Sequence, residues 1–221
     1  MANRDDVSIS VLAWVPEGGR GLVRDLRVRW ALEEAGIPYT VRKLEFLAPR
    51  SSEYLAEHPF GQVPAYRDGE VSLFESGAIV LHIAEKSDAL LPRNPQERAK
   101  AISWMFAALS SVELSTWPYA TLGVFFAGQD WVQEARPGFA ANARSRLERL
   151  AAYLGDKEWL EGRFSVGDLM MVTVLRVVAR TGILAEFPTL AAYQARGEDR
   201  PAFKRALAAH LADFEDRPAA A

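Results

Sequence analysis

Residues 62–74, QVPAYRDGEVSLF, decide the fold of this chain. At their centre the pair Asp68-Gly69 separates two short runs of β-type residues, and such a pair is among the strongest local signals for a β-hairpin. Residues 75–77 (ESG) follow at once and open a helix predicted over residues 78–86. The segment therefore predicts two antiparallel strands that lead directly into a helix.

The residues before this hairpin predict a strand, a helix, a second strand and a short helix. Residues 8–14 (SISVLAW) indicate a mostly buried strand. Residues 22–35 carry apolar side chains four apart, which is typical of an amphipathic helix, and Gly36 ends it. The second strand is predicted over residues 39–44 and the short helix over residues 51–58. Strands joined through a helix run parallel, so we expect the first two strands to be parallel.

A proline-containing break at residues 87–95 (SDALLPRNP) divides the chain. Beyond it there is no convincing strand, and Ser165 and Asp168 have the spacing of a helix cap in which Asp replaces the usual Glu or Gln. The predicted helices cover residues 96–122, 131–154 with an interruption at Pro137-Gly138, 169–178, 188–195 and 201–214, and the tail 216–221 is expected to fray. The predicted organisation is an α/β domain at residues 1–86, a linker at 87–95 and an all-helical domain at 96–221.

Composition and charge limit the classes of function. The chain has 221 residues, of which 49% are hydrophobic and 25% charged, with no cysteine and a formal net charge of −3. Without cysteine there is no disulfide framework, thiolate zinc site or cysteine nucleophile. A mildly acidic chain has no bulk attraction for nucleic acid or anionic lipid. The three histidines lack the spacing of metal ligands, which predicts that there is no metal site.

The sequence also carries expectations about location. No apolar run approaches the length of a membrane-spanning helix, which is about 18 residues or more, so no membrane span is predicted. Residues 1–7 (MANRDDV) lack the apolar core of a secretory signal. We therefore expect a cytoplasmic protein.

The order of the motifs resembles the glutathione S-transferase family, in its cytosolic, bacterial-type form. In chain order the motifs are RVRWAL at 27–32, HPFGQVP at 58–64, FESGAI at 74–79, FSVGD at 164–168 and RPAF at 200–203. Each is weak alone, but the ordered set covers nearly the whole chain. The resemblance implies a thioredoxin-like α/β N-terminal domain and a helical-bundle C-terminal domain. It also implies a homodimer that binds glutathione as co-substrate together with a small electrophile.

The resemblance also implies a glutathione site. Val63, before a proline expected to be cis, would pair its main chain with the backbone of glutathione. Ser76 at a helix N-terminus would hold the γ-glutamyl carboxylate, because free N–H groups and the helix dipole favour an anion there. Glu75 or Gln62 would take the ammonium group. The alternatives are that Ser76 only caps the helix and that Pro64 only shapes a turn.

The catalytic step is where the sequence departs from the family. Family members stabilise the thiolate with a hydroxyl of Tyr or Ser, or use a Cys, near the first strand and helix, but residues 14–24 (WVPEGGRGLVR) contain none of these. A thiol of pKa about 8.5 is only a few per cent ionised at neutral pH. Lowering that pKa by two units requires about 2.7 kcal/mol, whereas a helix dipole contributes about 0.3–1 kcal/mol, and about 2 at most.

Two interpretations remain open for residues 14–24. In the first, backbone N–H groups around Gly21 and Leu22 hold the thiolate, and Arg20 or Arg24 supplies a positive charge. Arg20 is the catalytic candidate, and its alternative is an exposed loop arginine. In the second interpretation, the protein binds glutathione without activating it. Arg24, Arg27 and Arg29 are assigned to a solvated face or to ion pairs, with Asp25 and Glu33 at helical spacing from Arg29.

The leading functional hypothesis is transfer of glutathione to a small apolar electrophile, with low activity. A glutathione-dependent isomerase or peroxidase would use the same donor site, and a noncatalytic glutathione-binding protein on the same scaffold stays open. The absence of cysteine argues against reductases of this fold that use a protein thiol. The family builds its electrophile pocket from the first helices of the second domain, where the aromatic candidates are Trp104, Trp117, Tyr119, Phe125 and Phe126.

Overall fold

The computed structural model describes residues 7–69 and 71–214 of the chain. The elements of the α/β part are β1 (Ser8–Leu12), α1 (Asp25–Ala35), β2 (Thr40–Leu44), α2 (Ser52–Glu57), β3 (Ala65–Arg67), β4 (Ser72–Phe74) and α3 (Ser76–Glu85). The helical part continues with α4 (Pro95–Ala107), a π-helical segment (Ala108–Glu113), α5 (Leu114–Phe125), α6 (Trp131–Leu154), α7 (Val166–Ala179), a 3₁₀ turn (Ile183–Glu186), α8 (Pro188–Asp199) and α9 (Pro201–Ala212). The predicted change from α/β to all-helical structure is confirmed.

A mixed sheet of four strands forms the α/β part of the described chain. Its strand order is β2-β1-β3-β4. β1 pairs with β2 in parallel, and β3 is antiparallel to both β1 and β4. The predicted hairpin is confirmed: Asp68 N–H donates to the Val71 carbonyl at 3.3 Å, and Gly69 has a φ of 86° that favours glycine.

Helix α1 connects β1 to β2 and is buried on nearly all of its sides from Asp25 to Leu32. Val28, Trp30 and Leu32 are fully buried, and the burial of each such side chain contributes about 1.5–3 kcal/mol. Gly36 ends the helix with a φ of 66°. With α3 following the hairpin, this is the thioredoxin-like arrangement that the family resemblance implies.

The last helix, α9, belongs to the same compact unit as the α/β part of the chain. One compact unit spans Leu91–Asp199, and the other joins the described residues up to Leu90 with those from Arg200 onward. In the second of these units α9 packs on α1, where the rings of Trp30 and Phe203 meet edge to face at 4.9 Å. The guanidinium of Arg200 binds the Glu34 carboxylate with both of its donors, at 2.6 and 2.8 Å. These units differ from the predicted all-helical domain at residues 96–221, because local sequence pattern does not show which helix packs on which.

The unit Leu91–Asp199 is a helical bundle around α7, whose first residues are capped as the sequence predicts. Ser165 Oγ accepts from Gly167 N–H at 3.3 Å, and Asp168 Oδ2 accepts from Ser165 N–H at 3.0 Å. Asp168 Oδ1 also accepts from Leu160 N–H and from the Tyr193 hydroxyl. Asp168 is therefore a structural residue, although burial raises its pKa.

Two details of the helical part differ from the predictions. The helix predicted over residues 96–122 contains the π-helical segment Ala108–Glu113, whose wider turn leaves no trace in the hydrophobic spacing. The interruption predicted at Pro137-Gly138 is wrong, because α6 continues through it. Both residues face solvent, so water can bond the carbonyl that Pro137 leaves unpaired. Among the described helices, none combines the length and apolar character needed to cross a bilayer, and the predicted fraying at 216–221 lies outside the described residues.

Candidate functional site

The peptide edge at Val63 is the first feature of the candidate site. The Val63-Pro64 peptide bond is cis, as expected. Among the described residues, neither the N–H nor the carbonyl of Val63 has a hydrogen-bond partner. Val63 is partly exposed and immediately precedes the buried Pro64 and strand β3. An extended peptide can therefore pair with this main chain as an additional strand would.

A chain of hydrogen bonds fixes the residues on both sides of Val63. Ala65 N–H donates to Ser10 Oγ at 2.7 Å, and the Tyr54 hydroxyl donates to the Gln62 carbonyl at 2.5 Å. The two hydroxyls are 2.7 Å apart. Because the proton of Tyr54 points to Gln62, Ser10 must donate to Tyr54. Burial raises the pKa of Tyr54, which keeps this hydroxyl a proton donor.

The N-terminus of α3 is the second feature. Ala65 lies opposite Phe74 in the hairpin, so Val63 and Glu75 lie at the same end of it. Glu75 has φ 68° and ψ 115°, a backbone conformation that costs a non-glycine residue about 1–3 kcal/mol and that clusters at functional sites. The side chain of the N-cap residue Glu75 makes no capping bond, and Ser76 is the first residue of α3, so the interpretation of Ser76 as a plain N-cap is wrong. The first N–H groups of α3 remain suited to an anion.

Arg27 is a further candidate site residue, which the sequence pattern does not indicate. Its side chain is buried, and its Nη1 donates to Ser76 Oγ at 3.3 Å. The predicted solvated face for Arg27 is therefore wrong, because α1 directs its side chain at α3, whereas the predicted ion pair stays a prediction. A guanidinium beside a helix N-terminus strengthens the attraction for a carboxylate. The spacing of α1 gave no signal for this, because the contact depends on how α1 and α3 pack.

The side chains of Glu75 and Gln62 face solvent at this end of the hairpin. Among the described residues the Glu75 carboxylate accepts no hydrogen bond, so it is free to take an ammonium group. Its charge also raises the pKa of the nearby His58, but burial is the larger effect, and the pKa of His58 is lowered below its ordinary 6.5. Arg50 donates from Nε to the Gly61 carbonyl at 3.0 Å and from Nη1 to the Glu45 carbonyl at 2.7 Å, which holds the preceding loop.

The segment predicted to activate a thiol is the loop between β1 and α1. The Arg20 guanidinium lies over the Phe214 ring, 5.6 Å from its centre, and its buried Nε has no acceptor among the described residues. Both backbone donors proposed from the sequence are already engaged. Gly21 N–H donates to His210 Nε2 at 3.2 Å, and Leu22 N–H donates to the Gly19 carbonyl at 3.0 Å.

The structure thus brings some predicted residues together and not others. Val63, Glu75 and Ser76 lie at one end of the hairpin, with Gln62 beside them. No hydrogen bond within the described part of the chain joins Arg20 to any of these four. In residues 7–69 and 71–214, no three His, Cys, Asp or Glu side chains are grouped to hold a metal ion. The absence of a metal stays a prediction.

Comparison with known proteins identifies the family. A family model described as the glutathione S-transferase N-terminal domain matches residues 18–85. Glutathione S-transferase 1 of Zea mays is 30% identical over 197 residues, which cover 82% of this chain and 90% of that protein. Disulfide-bond oxidoreductase YfcG of Escherichia coli is 30% identical over 195 residues, which cover 80% of this chain and 86% of that protein.

A solved structure of a glutathione transferase family member from Pseudomonas fluorescens, described with two glutathione bound, has a TM-score of 0.79. It is 24% identical in sequence, and the match covers 92% of this chain and 93% of the other. The fold is therefore that of the glutathione transferases. This fold and the 30% identity to the maize protein over most of both chains show that this chain belongs to the glutathione S-transferase family.

Proposed function

We propose that this protein binds glutathione at Val63 and the N-terminus of α3 and transfers its thiol to a small apolar electrophile. The proposal depends above all on one observation. The main chain of Val63, which has no partner among the described residues, lies at the same end of the hairpin as the N-terminus of α3, which the side chain of Glu75 does not cap. We also propose that it acts in the cytoplasm as a homodimer. The relatives named as glutathione transferases support the reaction class.

Glutathione matches this site group by group. Its cysteinyl backbone is extended and would exchange two hydrogen bonds with Val63. Its γ-glutamyl carboxylate would bind at the α3 N-terminus, where Ser76 still has a hydroxyl proton to donate and Arg27 supplies a buried positive charge. The ammonium group on the same glutamyl carbon would face the exposed Glu75 carboxylate or Gln62.

Activation of the thiol requires more free energy than the dipole of a helix alone supplies. Lowering the thiol pKa by two units requires about 2.7 kcal/mol, and no hydroxyl or thiol side chain lies in residues 14–24. Gly21 and Leu22 already donate their N–H groups within the protein. Arg20, the catalytic candidate, is the proposed source of positive charge, with Arg24 as the alternative, because a nearby cation lowers the pKa of a thiol by about one unit or more.

A titration of glutathione into the pure protein tests both the binding of glutathione and the activation of its thiol. Binding is measured by calorimetry, and the absorbance of the bound thiolate is followed from about pH 5 to about pH 9. We expect binding, with the thiol pKa below its free value of about 8.5. Arg20→Ala is expected to raise the pKa of the bound thiol by about one unit, whereas Arg144→Ala, at an exposed arginine of α6 that pairs with Glu186, is the control and should leave it unchanged.

Each negative result has a different meaning. No binding contradicts the whole proposal. Binding with an unshifted thiol pKa contradicts catalysis and favours the second candidate, a noncatalytic glutathione-binding protein, which the missing hydroxyl of residues 14–24 already favours. An Arg20→Ala variant with unchanged thiol pKa and turnover removes Arg20 from the mechanism.

Other glutathione-dependent reactions differ from conjugation in their substrates and products. An isomerase or peroxidase would use the same donor site but turn over without accumulating a conjugate. The relative named as a disulfide-bond oxidoreductase raises thiol–disulfide exchange. Since this chain has no cysteine, both thiols of such an exchange would have to come from glutathione and its substrate.

A further inference from the structure

A groove of about 450 Å³ lies where α5 ends and α6 begins, inside the compact unit Leu91–Asp199. A cavity of this size can hold a small organic molecule. Of the eight residues that line it, Arg136 carries the one positive charge and Asp130 the one negative charge, while Ala127 and Val132 add apolar surface. None of these residues belongs to the glutathione site proposed above.

The guanidinium of Arg136 is oriented by its surroundings but is not paired. Its Cζ lies 5.0 Å from the centre of the Tyr119 ring, and its Nη1 would lie 3.7 Å from a Cβ added at Gly123. Tyr119 and Gly123 are one turn apart on α5, so the guanidinium lies across that turn. Within residues 7–69 and 71–214 it donates no hydrogen bond and forms no ion pair. A half-buried guanidinium therefore keeps its five N–H donors available.

The ordinary structural roles of a helix arginine do not account for Arg136. Arg144, about two turns further along α6, binds both carboxylate oxygens of Glu186, at 2.8 and 2.9 Å. Arginine near the end of a helix can also donate to the last carbonyls, but Arg136 makes no such bond to the described part of α5. Its contact with the Tyr119 ring uses the face of the guanidinium and leaves the N–H groups unused.

Tyr119 supplies a second donor at the same place. It is 9% exposed, and its hydroxyl has no hydrogen-bond partner in the part of the chain that the structure describes. This hydroxyl is not one of the fully buried polar atoms without a partner, so it reaches the surface. Because the guanidinium covers the Tyr119 ring, one ligand group can contact both. A side chain this deeply buried gains from an acceptor for its polar atom.

We propose that Arg136 and Tyr119 form a binding site for the oxyanion of a small organic molecule, either a carboxylate or a phosphate monoester. The planar fork of a guanidinium matches two oxygens of either group, and the hydroxyl adds a third donor. The apolar surface of Ala127 and Val132 suits an apolar body attached to the anion. A neutral molecule of the same shape would leave the guanidinium without a charged partner.

The carboxylate of Asp130 opposes the binding of an anion in the same groove. Its oxygens have no partner among the described residues, and it makes no capping bond to α6. The first N–H groups of α6 offset its charge only in part. We therefore expect D130N to bind the anion about two- to fivefold more tightly, because the variant removes a like charge.

An NMR titration of the full chain tests the site with three probes: phenylacetate, phenyl phosphate and the neutral phenylacetamide. The amides of Gly123 and Gly128, which line the groove, and the Nε–H of Arg136 report on binding. We expect saturable shifts with an anion and a dissociation constant of about 5 mM or lower, as for a ligand of about ten heavy atoms. Phenylacetamide should bind about tenfold or more weakly than phenylacetate. The ratio of the two anions distinguishes a carboxylate site from a phosphate site.

Four variants separate recognition from packing. R136Q should weaken the binding of the anion by about tenfold or more, because a charged pair is lost. R136K keeps the charge without the fork, so its loss should be intermediate. Y119F keeps the ring but removes one hydrogen bond, which corresponds to about two- to tenfold. R149Q is the matched control: Arg149 is an exposed arginine of the same helix that does not line the groove, so wild-type affinity is expected.

The inference is overturned if neither anion gives saturable shifts at Gly123 and Gly128, or if phenylacetamide binds as tightly as phenylacetate. Wild-type affinity in R136Q or Y119F also overturns it. If R136Q fails to fold, the comparison of the acid with its amide in the wild type decides the matter alone. Glutathione is absent from every titration, so the result does not depend on the proposed function.

Discussion

Two hydroxyl groups, those of Ser10 and Tyr54, fix the geometry of the loop that carries Val63. Ser10 lies inside strand β1, where a polar residue is costly unless it is bonded. It accepts from Ala65 and donates to Tyr54, which donates in turn to the Gln62 carbonyl. The main chain is therefore held just before and just after Val63, and the groups of Val63 itself stay available.

We expect Tyr54→Phe to weaken glutathione binding by about 0.5–1.5 kcal/mol, the net contribution of one hydrogen bond. The variant keeps the ring but releases the Gln62 carbonyl, so Val63 loses its fixed position. Calorimetry with glutathione measures the change. Tyr66→Phe is the control, since its hydroxyl bonds Asp68 at the far end of strand β3. Equal affinity in wild type and Tyr54→Phe would show that this hydrogen bond does not position Val63.

The sequence places those candidate site residues that lie next to a local fold signal in the chain. Val63 adjoins the cis proline, and Glu75 and Ser76 open the helix after the hairpin, so local order was sufficient to place them. Arg27 and His210 could not be found in this way. Each meets its partner across 49 or more residues of the chain, and such contacts depend on packing that no local pattern records.

At the scale of elements, small residues set how closely the helices approach. A Cβ added at Gly167 in α7 would lie 2.7 Å from the Trp104 Cβ and 3.0 Å from the Ala101 carbonyl oxygen of α4. Glycine is therefore required where these two helices cross. By contrast, a Cβ at Gly138 in α6 would have no atom within 4 Å.

We expect Gly167→Ala to lower the free energy of unfolding by about 1–3 kcal/mol, because α4 and α7 would have to separate. Gly138→Ala is the matched control with the opposite sign: in an open helical position, alanine should stabilise by about 0.5–1 kcal/mol. Urea unfolding followed by circular dichroism measures both. A Gly167→Ala variant as stable as wild type would contradict close packing at this crossing.

The elements themselves were largely predictable, and the exceptions have physical causes. The hairpin, the parallel pair β1 and β2, and the cap at Ser165 follow from local chemistry. The π-helical segment and the uninterrupted α6 do not, because they depend on neighbouring helices and on solvent around Pro137. Propensity alone overestimated the effect of that proline.

At the scale of the whole molecule, one exposed aromatic ring bears on assembly. Phe60 is 70% exposed, and the side chain of Leu55, also exposed, lies beside the adjacent Gly61. Phe60 packs against Phe74 with a ring separation of 6.2 Å, which holds it in one orientation. An apolar side chain presented in this way is suited to burial against a second copy of the chain.

We expect sedimentation to give twice the 24.5 kDa mass of one chain. Phe60→Ser should raise the dissociation constant by about tenfold or more, since burial of a phenylalanine contributes about 1.5–3 kcal/mol. Val124→Ser, at an equally exposed apolar position in the other unit, is the control. A monomeric wild type, or a Phe60→Ser variant that dimerises as well as the wild type, would contradict this interface.

The position of α9 against α1 has a consequence for the order in which the protein can be made. Asp25, Arg29 and Trp30 each have one partner in residues 200–214, so the sheet-containing unit lacks part of its interior until that stretch has left the ribosome. The intervening helices, in contrast, can mature while synthesis is still under way. Synthesis of this chain therefore finishes where it started, at the unit that contains the sheet.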